Sequence, residues 1–197
     1  MAESDSFDAP SRPAAPPPAW RVLGEEHLQH CKVFDVQRAT MESPQTGAAH
    51  PFYRIESPDW VNVVALTRDE QLVLVRQFRH GSRTVTLEIP GGLIDPGETP
   101  AIAGERELLE ETGFRAGRLE SLGSINPNPA LFGNRVHMQV ALDCEQVDRI
   151  RNESTEHTTF ELLPVSDLRE VVRRIGIDHA LAVAALYAYE IWRDARR

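Results

Sequence analysis

Glu107, Glu110 and Glu111 are the residues best placed to do chemistry, because they follow Arg106 at helical spacing directly behind a glycine- and proline-rich turn. Thr99 reads as an N-cap, Pro100 as the first helical residue and Gly113 as the stop, which predicts a helix over 100–112. Helical geometry then gathers the three carboxylates on one arc of about 100°. Ala101, Ile102, Leu108 and Leu109 take the opposite side, so the expectation is one core face and one carboxylate face. Like charges at i,i+3 and i,i+4 repel by about 0.2–0.5 kcal/mol per pair, which makes a cation their natural partner. An all-oxygen ligand set suits Mg²⁺, with Mn²⁺ also compatible, better than it suits zinc.

A solvated acidic helix face would account for the glutamates alone, but not for the joint spacing of Gly92, Glu98, Arg106, Glu107, Glu110, Glu111 and Gly113. That spacing resembles the Nudix box: glycine, five residues, glutamate, seven residues, then Arg-Glu-apolar-any-Glu-Glu-any-Gly-apolar, matched here from Gly92 to Phe114. The resemblance implies that Glu107, Glu110 and Glu111 are metal-binding carboxylates and that the backbone carbonyl of Gly91 is a further ligand. It also implies an Arg106–Glu98 ion pair that shapes the site. Gly92, Pro96 and Gly97 would make the turns that bring backbone close to the metal.

Composition agrees with one catalytic domain. The 197 residues are 41% hydrophobic and 26% charged, ordinary for a globular protein. A net charge of −9 argues against a nucleic-acid partner, which would need a basic face. It leaves room for a phosphorylated small molecule, since bound metal and a few arginines reverse the field locally. No apolar run approaches the length needed to span a bilayer, and no apolar targeting segment is seen. Cys31 and Cys144, far apart in sequence, read as free thiols in a reducing, cytoplasmic setting.

Residues 1–18, rich in Pro, Ala and Ser, read as a disordered tail. Strands are predicted at Lys32–Met41, Pro51–Glu56, Trp60–Thr67, Gln71–Phe78, Thr84–Ile89, Arg118–Ile125, Arg135–Leu142 and Thr158–Leu163. Helices are predicted at Asp167–Arg174 and Asp178–Arg196, capped by Ser166 and Asp178. Mixed strands with segregated helices indicate an α+β fold, an α/β/α sandwich. The order resembles the Nudix fold, with residues 19–57 as an added N-terminal antiparallel sheet and 58–197 as the Nudix hydrolase domain.

The N-terminal strands, Gln77-Phe78-Arg79, the Glu88-Ile89-Pro90-Gly91-Gly92 lead into the box, and Pro129, 15 residues beyond it, resemble the ADP-ribose pyrophosphatase-like branch of the family. This implies metal-dependent cleavage of the pyrophosphate of a nucleoside diphosphate sugar. It also implies a homodimer whose N-terminal sheet contributes to the substrate pocket. Cleavage of nucleoside triphosphates or oxidised nucleotides is the nearest alternative, and a non-catalytic nucleotide-sugar sensor the next. Arg79, at the end of an apolar strand, is the favoured phosphate clamp, with Arg54, Glu88, Pro129 and Phe132 as further substrate-side candidates. The loop Arg149–His157 supplies Glu156, preferred over Glu153, as candidate general base.

Overall fold

The computed structural model describes residues 15–152, 157–170, 172–173 and 176–196. An antiparallel three-stranded sheet comes first, made of β1 (Arg21–Cys31), β2 (Phe34–Glu42) and β3 (Ala49–Glu56) in that order. Lys32 and Val33 form the turn between β1 and β2, so Lys32 does not begin a strand. Nothing in the pattern of β1 announces it: it contains Gly24, Glu25 and Glu26, and every residue before Cys31 is exposed. It is held by pairing to β2 and not by burial of an alternating face.

The second sheet has eight strands. Its main path runs β11 (Thr158–Pro164), β5 (Gln71–Arg79), β4 (Trp60–Thr67), β10 (Val136–Gln146) and β8 (Phe114–Arg115). Off that path, β6 (Thr84–Glu88) pairs with β5, β7 (Gly91–Leu93) with β4, and β9 (Arg118–Ile125) with β10. The β4–β10 pair is parallel and the other pairs are antiparallel, so the sheet is mixed.

Alternation along β4 shows why its sequence is an almost continuous apolar run. Val61, Val63 and Ala65 join Ala103 and Leu108 of α1 (Pro100–Thr112) on one face. Val64 and Leu66 join Ala182, Ala185, Leu186 and Tyr189 of α3 (Ala180–Asp194) on the other. A strand covered on both faces needs apolar residues at every position, and complete burial of each valine contributes about 1.5–3 kcal/mol. The result is an α/β/α sandwich within the α+β class.

Two helical boundaries differ from the sequence reading. Where a helix is expected over Asp167–Arg174 with Ser166 as its cap, a 3₁₀ turn over Val165–Asp167 leads into the short helix α2 (Leu168–Glu170), and Arg174 lies outside the described residues. The residue at the cap position of α3 is His179 and not Asp178. Of the residues expected on the core face, α1 buries Leu108, but together with Ala103, Gly104, Glu111 and Thr112, whereas Ile102 is 52% exposed. Gly104 lets the helix lie close to the sheet, since a β-carbon there would stand 3.2 Å from Val63 Cγ2. Glu111, one and two turns from Leu108 and Gly104, therefore turns inward.

Candidate active site

Local sequence builds the ends of α1. Thr99 Oγ1 accepts from the Ile102 N–H at 3.3 Å, Pro100 occupies the first turn, and Gly113 closes the helix at φ 76° with its N–H donated to the Leu109 carbonyl at 2.8 Å. The carbonyls of the last turn are satisfied from a distant segment. Arg151 N–H donates to the Glu110 carbonyl at 2.8 Å, and Thr158 Oγ1 donates to that of Glu111 at 2.9 Å.

The side chains of this helix meet the turn at β7. The Gly91 N–H donates to Glu111 Oε2 at 2.9 Å, and Glu111 is 5% exposed. A β-carbon on Gly92 would fall within the Glu107 carboxylate, and one on Gly91 would run into the Val61 carbonyl. Only glycine allows this approach of backbone to carboxylate.

Arg106 ties the group together. Its Nε and Nη2 donate to the two oxygens of Glu98 at 2.9 Å each, its Nη1 to Glu107 Oε1 at 2.8 Å and Glu110 Oε2 at 3.4 Å, and its Nη2 also to the Leu93 carbonyl at 2.9 Å. Glu98 is held below the usual carboxylate range, first by Arg106, with slight burial opposing and the Asp95 N–H adding to the effect. Arg106 is driven still higher than an ordinary guanidinium, first by Glu98 despite desolvation, then by Glu107. Arg106 is thus permanently charged and acts as a strut between loop and helix.

Among the described residues, no three carboxylate, imidazole or thiolate groups converge as a closed metal shell. Glu107 is turned onto Arg106 and Glu111 onto the Gly91 N–H. The donor set nevertheless fits a hard divalent cation. Two largely buried carboxylates meet the backbone of the Gly91–Gly92 turn, an all-oxygen cluster, and a β-carbon on Gly92 would fall within the Glu107 carboxylate. Glu110, with a side chain 46% exposed, stands at its outer edge.

A second cluster lies on one face of the β5–β6 ribbon. Glu88, 1% exposed, accepts from Arg79 Nε and Nη2 at 2.8 Å each, from Thr86 Oγ1 at 2.5 Å, and pairs with His179 Nδ1 at 2.7 Å. Burial pushes its pKa up, but hydrogen bonds from Arg79, His179 and Thr86 outweigh that and hold it well below the usual range. Arg79 is therefore engaged by Glu88 through one edge of its guanidinium.

Arg54 and Phe132 belong to a third region, where the N-terminal sheet meets the loop before β10. Arg54 Nη2 contacts Glu25 and Glu56 at 3.0 and 2.7 Å. Ile55 N–H donates to the Leu131 carbonyl at 2.7 Å, and the Phe132 ring packs edge-on against Trp60, 5.7 Å between centroids. A cavity of about 770 Å³ opens here, lined by Arg54, Glu56, Leu93, Asp95 and Asn134 among others. Through Leu93 and Asp95 it borders the turn that carries Gly91 and Gly92. Pro129 sits in an exposed turn, and Glu153 and Glu156 lie outside the described residues.

Sequence reasoning did not find His179 or Thr86, both in contact with Glu88, nor Asp59. Asp59 accepts from the Arg135 N–H at 2.8 Å, meets His137 Nε2 at 2.9 Å, and gives its carbonyl to the Ile94 N–H at 2.9 Å. These link residues scattered along the chain, and no local signal marks them.

A mixed sheet between helices, with an acidic helix cradled by a glycine turn, defines a class. Residues 58–185 match the NUDIX domain model, and the chain belongs to the Nudix family. An ADP-ribose pyrophosphatase of Bacillus subtilis is 28% identical over 158 residues, 77% of this chain and 85% of that protein. The ADP compounds hydrolase NudE of Escherichia coli is 26% identical over 87% of this chain and 91% of its own length. An ADP-sugar pyrophosphatase of mouse is 28% identical over 85% and 84%. A crystal structure of an ADP compounds hydrolase superposes with a TM-score of 0.82 at 25% identity, covering 93% of this chain and 98% of that one. The chain is a Nudix hydrolase related to enzymes that act on ADP-ribose and ADP-sugars.

Proposed function

We propose that this enzyme hydrolyses the pyrophosphate bond of a nucleoside diphosphate sugar of the ADP-ribose type, giving a nucleoside monophosphate and a sugar phosphate, with Mg²⁺ as its metal and Mn²⁺ as a substitute. The observation that carries the reading is the meeting of Glu107 and Glu111 with the Gly91–Gly92 backbone. The relatives' ADP-linked substrates support the choice of leaving group.

Glu107, Glu111 and the Gly91 carbonyl would hold the metal, with Glu110 at its outer edge. A divalent cation there neutralises phosphoryl oxygens and lowers the pKa of bound water. Arg106 keeps Glu107 in place through its bond to Nη1. Arg79, held by Glu88 along its Nε–Nη2 edge, is the candidate guanidinium for contact with a substrate phosphate. The cavity beside Arg54 is large enough for a nucleoside or sugar arm of such a substrate and borders the metal turn at Leu93 and Asp95. Phe132 and Pro129, on the loop that borders it, are the candidates for contact with that arm.

Glu156, or Glu153 in its place, would take the proton from the attacking water as its oxygen bonds to phosphorus and the bridging P–O bond breaks. Support comes from the flanks of this segment: Arg151 and Thr158 are both bonded to the last carbonyls of α1, next to Glu110 and Glu111. No helix among the described residues is long and apolar enough to cross a membrane. The two free cysteines support a reducing, cytoplasmic setting.

A homodimer formed through the N-terminal sheet completes the proposal. Trp20, Val22, Leu23, Leu28, Phe52 and Tyr53 are exposed there, at 39–55%, more apolar surface than an isolated sheet ordinarily leaves in water.

The test is a panel of ADP-ribose, other nucleotide sugars, dinucleotides and nucleoside triphosphates, each incubated with enzyme and Mg²⁺ and read by product chromatography. Preferential release of AMP and ribose 5-phosphate from ADP-ribose is expected. Preference for a nucleoside triphosphate would overturn the substrate assignment, and absence of turnover on every member would favour a sensor.

A further inference from the structure

The chain entering β4 is bonded to two parts of the site at once. The Pro58 carbonyl accepts from Asn134 Nδ2 at 2.9 Å, Asp59 Oδ1 accepts from the Arg135 N–H at 2.8 Å, and the Trp60 N–H donates to the Arg135 carbonyl at 2.9 Å. Asp59 Oδ2 meets His137 Nε2 at 2.9 Å. From its other side the Asp59 carbonyl accepts from the Ile94 N–H at 2.9 Å. Asp59 is thus joined both to the loop that precedes β10 and to the exit of the Gly91–Gly92 turn.

Both partners border one space. Asp59, Leu93, Asp95, Gly133 and Asn134 all line the cavity of about 770 Å³. Strand pairing does not account for the carboxylate, because the β4–β10 ladder begins at Trp60 and Val136, one residue beyond Asp59 and Arg135. The Asp59 side chain extends that ladder by satisfying the Arg135 N–H, a donor that β4 backbone does not reach. The loop has other ties. The Ile55 N–H donates to the Leu131 carbonyl at 2.7 Å, Asn126 Nδ2 donates to the Phe132 carbonyl at 3.1 Å, and Arg135 Nη2 donates to the Ser124 carbonyl at 2.7 Å. What Asp59 adds is a link from this loop to the glycine turn through a single residue.

We infer that Asp59 is a positioning residue for substrate: its carboxylate sets the Asn134–Arg135 wall of the cavity against the Gly91–Gly92 turn, so that the arm in the cavity and the pyrophosphate fall in register. This rests on the proposed nucleotide-sugar reaction and on the cavity as the seat of one arm. The two attachments of Asp59 differ in chemistry. Its bond to Ile94 uses the backbone carbonyl and survives a change of side chain, whereas its bonds to Arg135 and His137 use the carboxylate. Removing the side chain therefore loosens the wall and leaves the turn in place, which weakens binding of the arm before it touches the metal chemistry.

Steady-state kinetics on ADP-ribose over a range of Mg²⁺ concentrations, with thermal melting of each variant, test this. Asp59→Ala should raise KM about fivefold, with kcat within about twofold and the Mg²⁺ dependence unchanged. Asp59→Asn should keep KM within about twofold of wild type, because its amide oxygen accepts from the Arg135 N–H and its nitrogen donates to His137 Nε2 in the Nδ1-protonated tautomer. Asp59→Ser, whose hydroxyl is too short to meet both partners, should behave like Asp59→Ala.

Wild-type enzyme that leaves ADP-ribose intact overturns the proposed function, and this inference with it. Wild-type turnover beside an unchanged KM in Asp59→Ala overturns the inference alone. A lowered Tm with unchanged KM would mean that Asp59 merely fastens the end of β4, and a fall in kcat at constant KM would place its effect in the metal chemistry; either result contradicts the proposal. Should Asp59→Ala not fold, the Asn and Ser variants decide: equal KM values contradict it.

Discussion

Glycine at position 92 is as much a part of the site as the glutamates. Its β-carbon would occupy the Glu107 carboxylate, so Gly92→Ala must displace Glu107 from Arg106. Turnover of Gly92→Ala should fall at least about tenfold, with circular dichroism and melting near wild type; wild-type turnover would show that Glu107 does not need this seat. Glu88 carries a pH signature. Its folded pKa is depressed, so its stabilisation is fully present above the ordinary carboxylate range near pH 4 and is lost as pH falls through the lower folded value. Melting curves of wild type and Glu88→Gln should therefore be furthest apart near neutral pH and draw together toward acid. Parallel curves would contradict the assignment. The candidate glutamates for the metal could be picked out from sequence because their spacing is local, all within Gly92–Phe114. The Glu88–His179 pair could not, because 91 residues separate its members and neither carries a pattern of its own.

Helix α1 shows how far pattern reading reaches into an element. Thr99, Pro100 and Gly113 mark its ends by local chemistry, and the structure has them in those roles. The face it buries was misread, because the sequence suggests burying Ile102 and exposing every glutamate. The sheet instead takes the side with Gly104, where backbone can approach, and Glu111 goes with it. Strand β1 was missed for a related reason: an exposed strand has no buried face to impose alternation. The segment between Arg151 and Thr158 carries the candidates for the general base. Glu156→Gln should lower kcat by about 10²–10⁴-fold with KM and Mg²⁺ dependence little changed, and Glu153→Gln should do less. Equal, near-wild-type rates for both across pH would move the base out of this segment.

As a whole, the molecule pairs a well-covered catalytic sandwich with an N-terminal sheet that exposes large apolar residues on its own. Deleting residues 1–18 should leave folding and activity nearly unchanged, since residues 15–18 are exposed and the stretch is poor in large apolar side chains; residues 1–14 of it lie outside the described part. Deleting residues 1–57 should abolish dimerisation and substrate binding by light scattering and calorimetry. A fully active monomer would refute the role given to that sheet. The proposed function depends above all on Glu111 and its neighbours as the residues that would hold a divalent metal. Its most direct test is ADP-ribose turnover by Glu111→Gln at saturating Mg²⁺, a change that removes one ligand charge and keeps the shape. A kcat lower by about 10²-fold or more with the fold intact is expected, whereas activity within about threefold of wild type would remove Glu111 from the metal site.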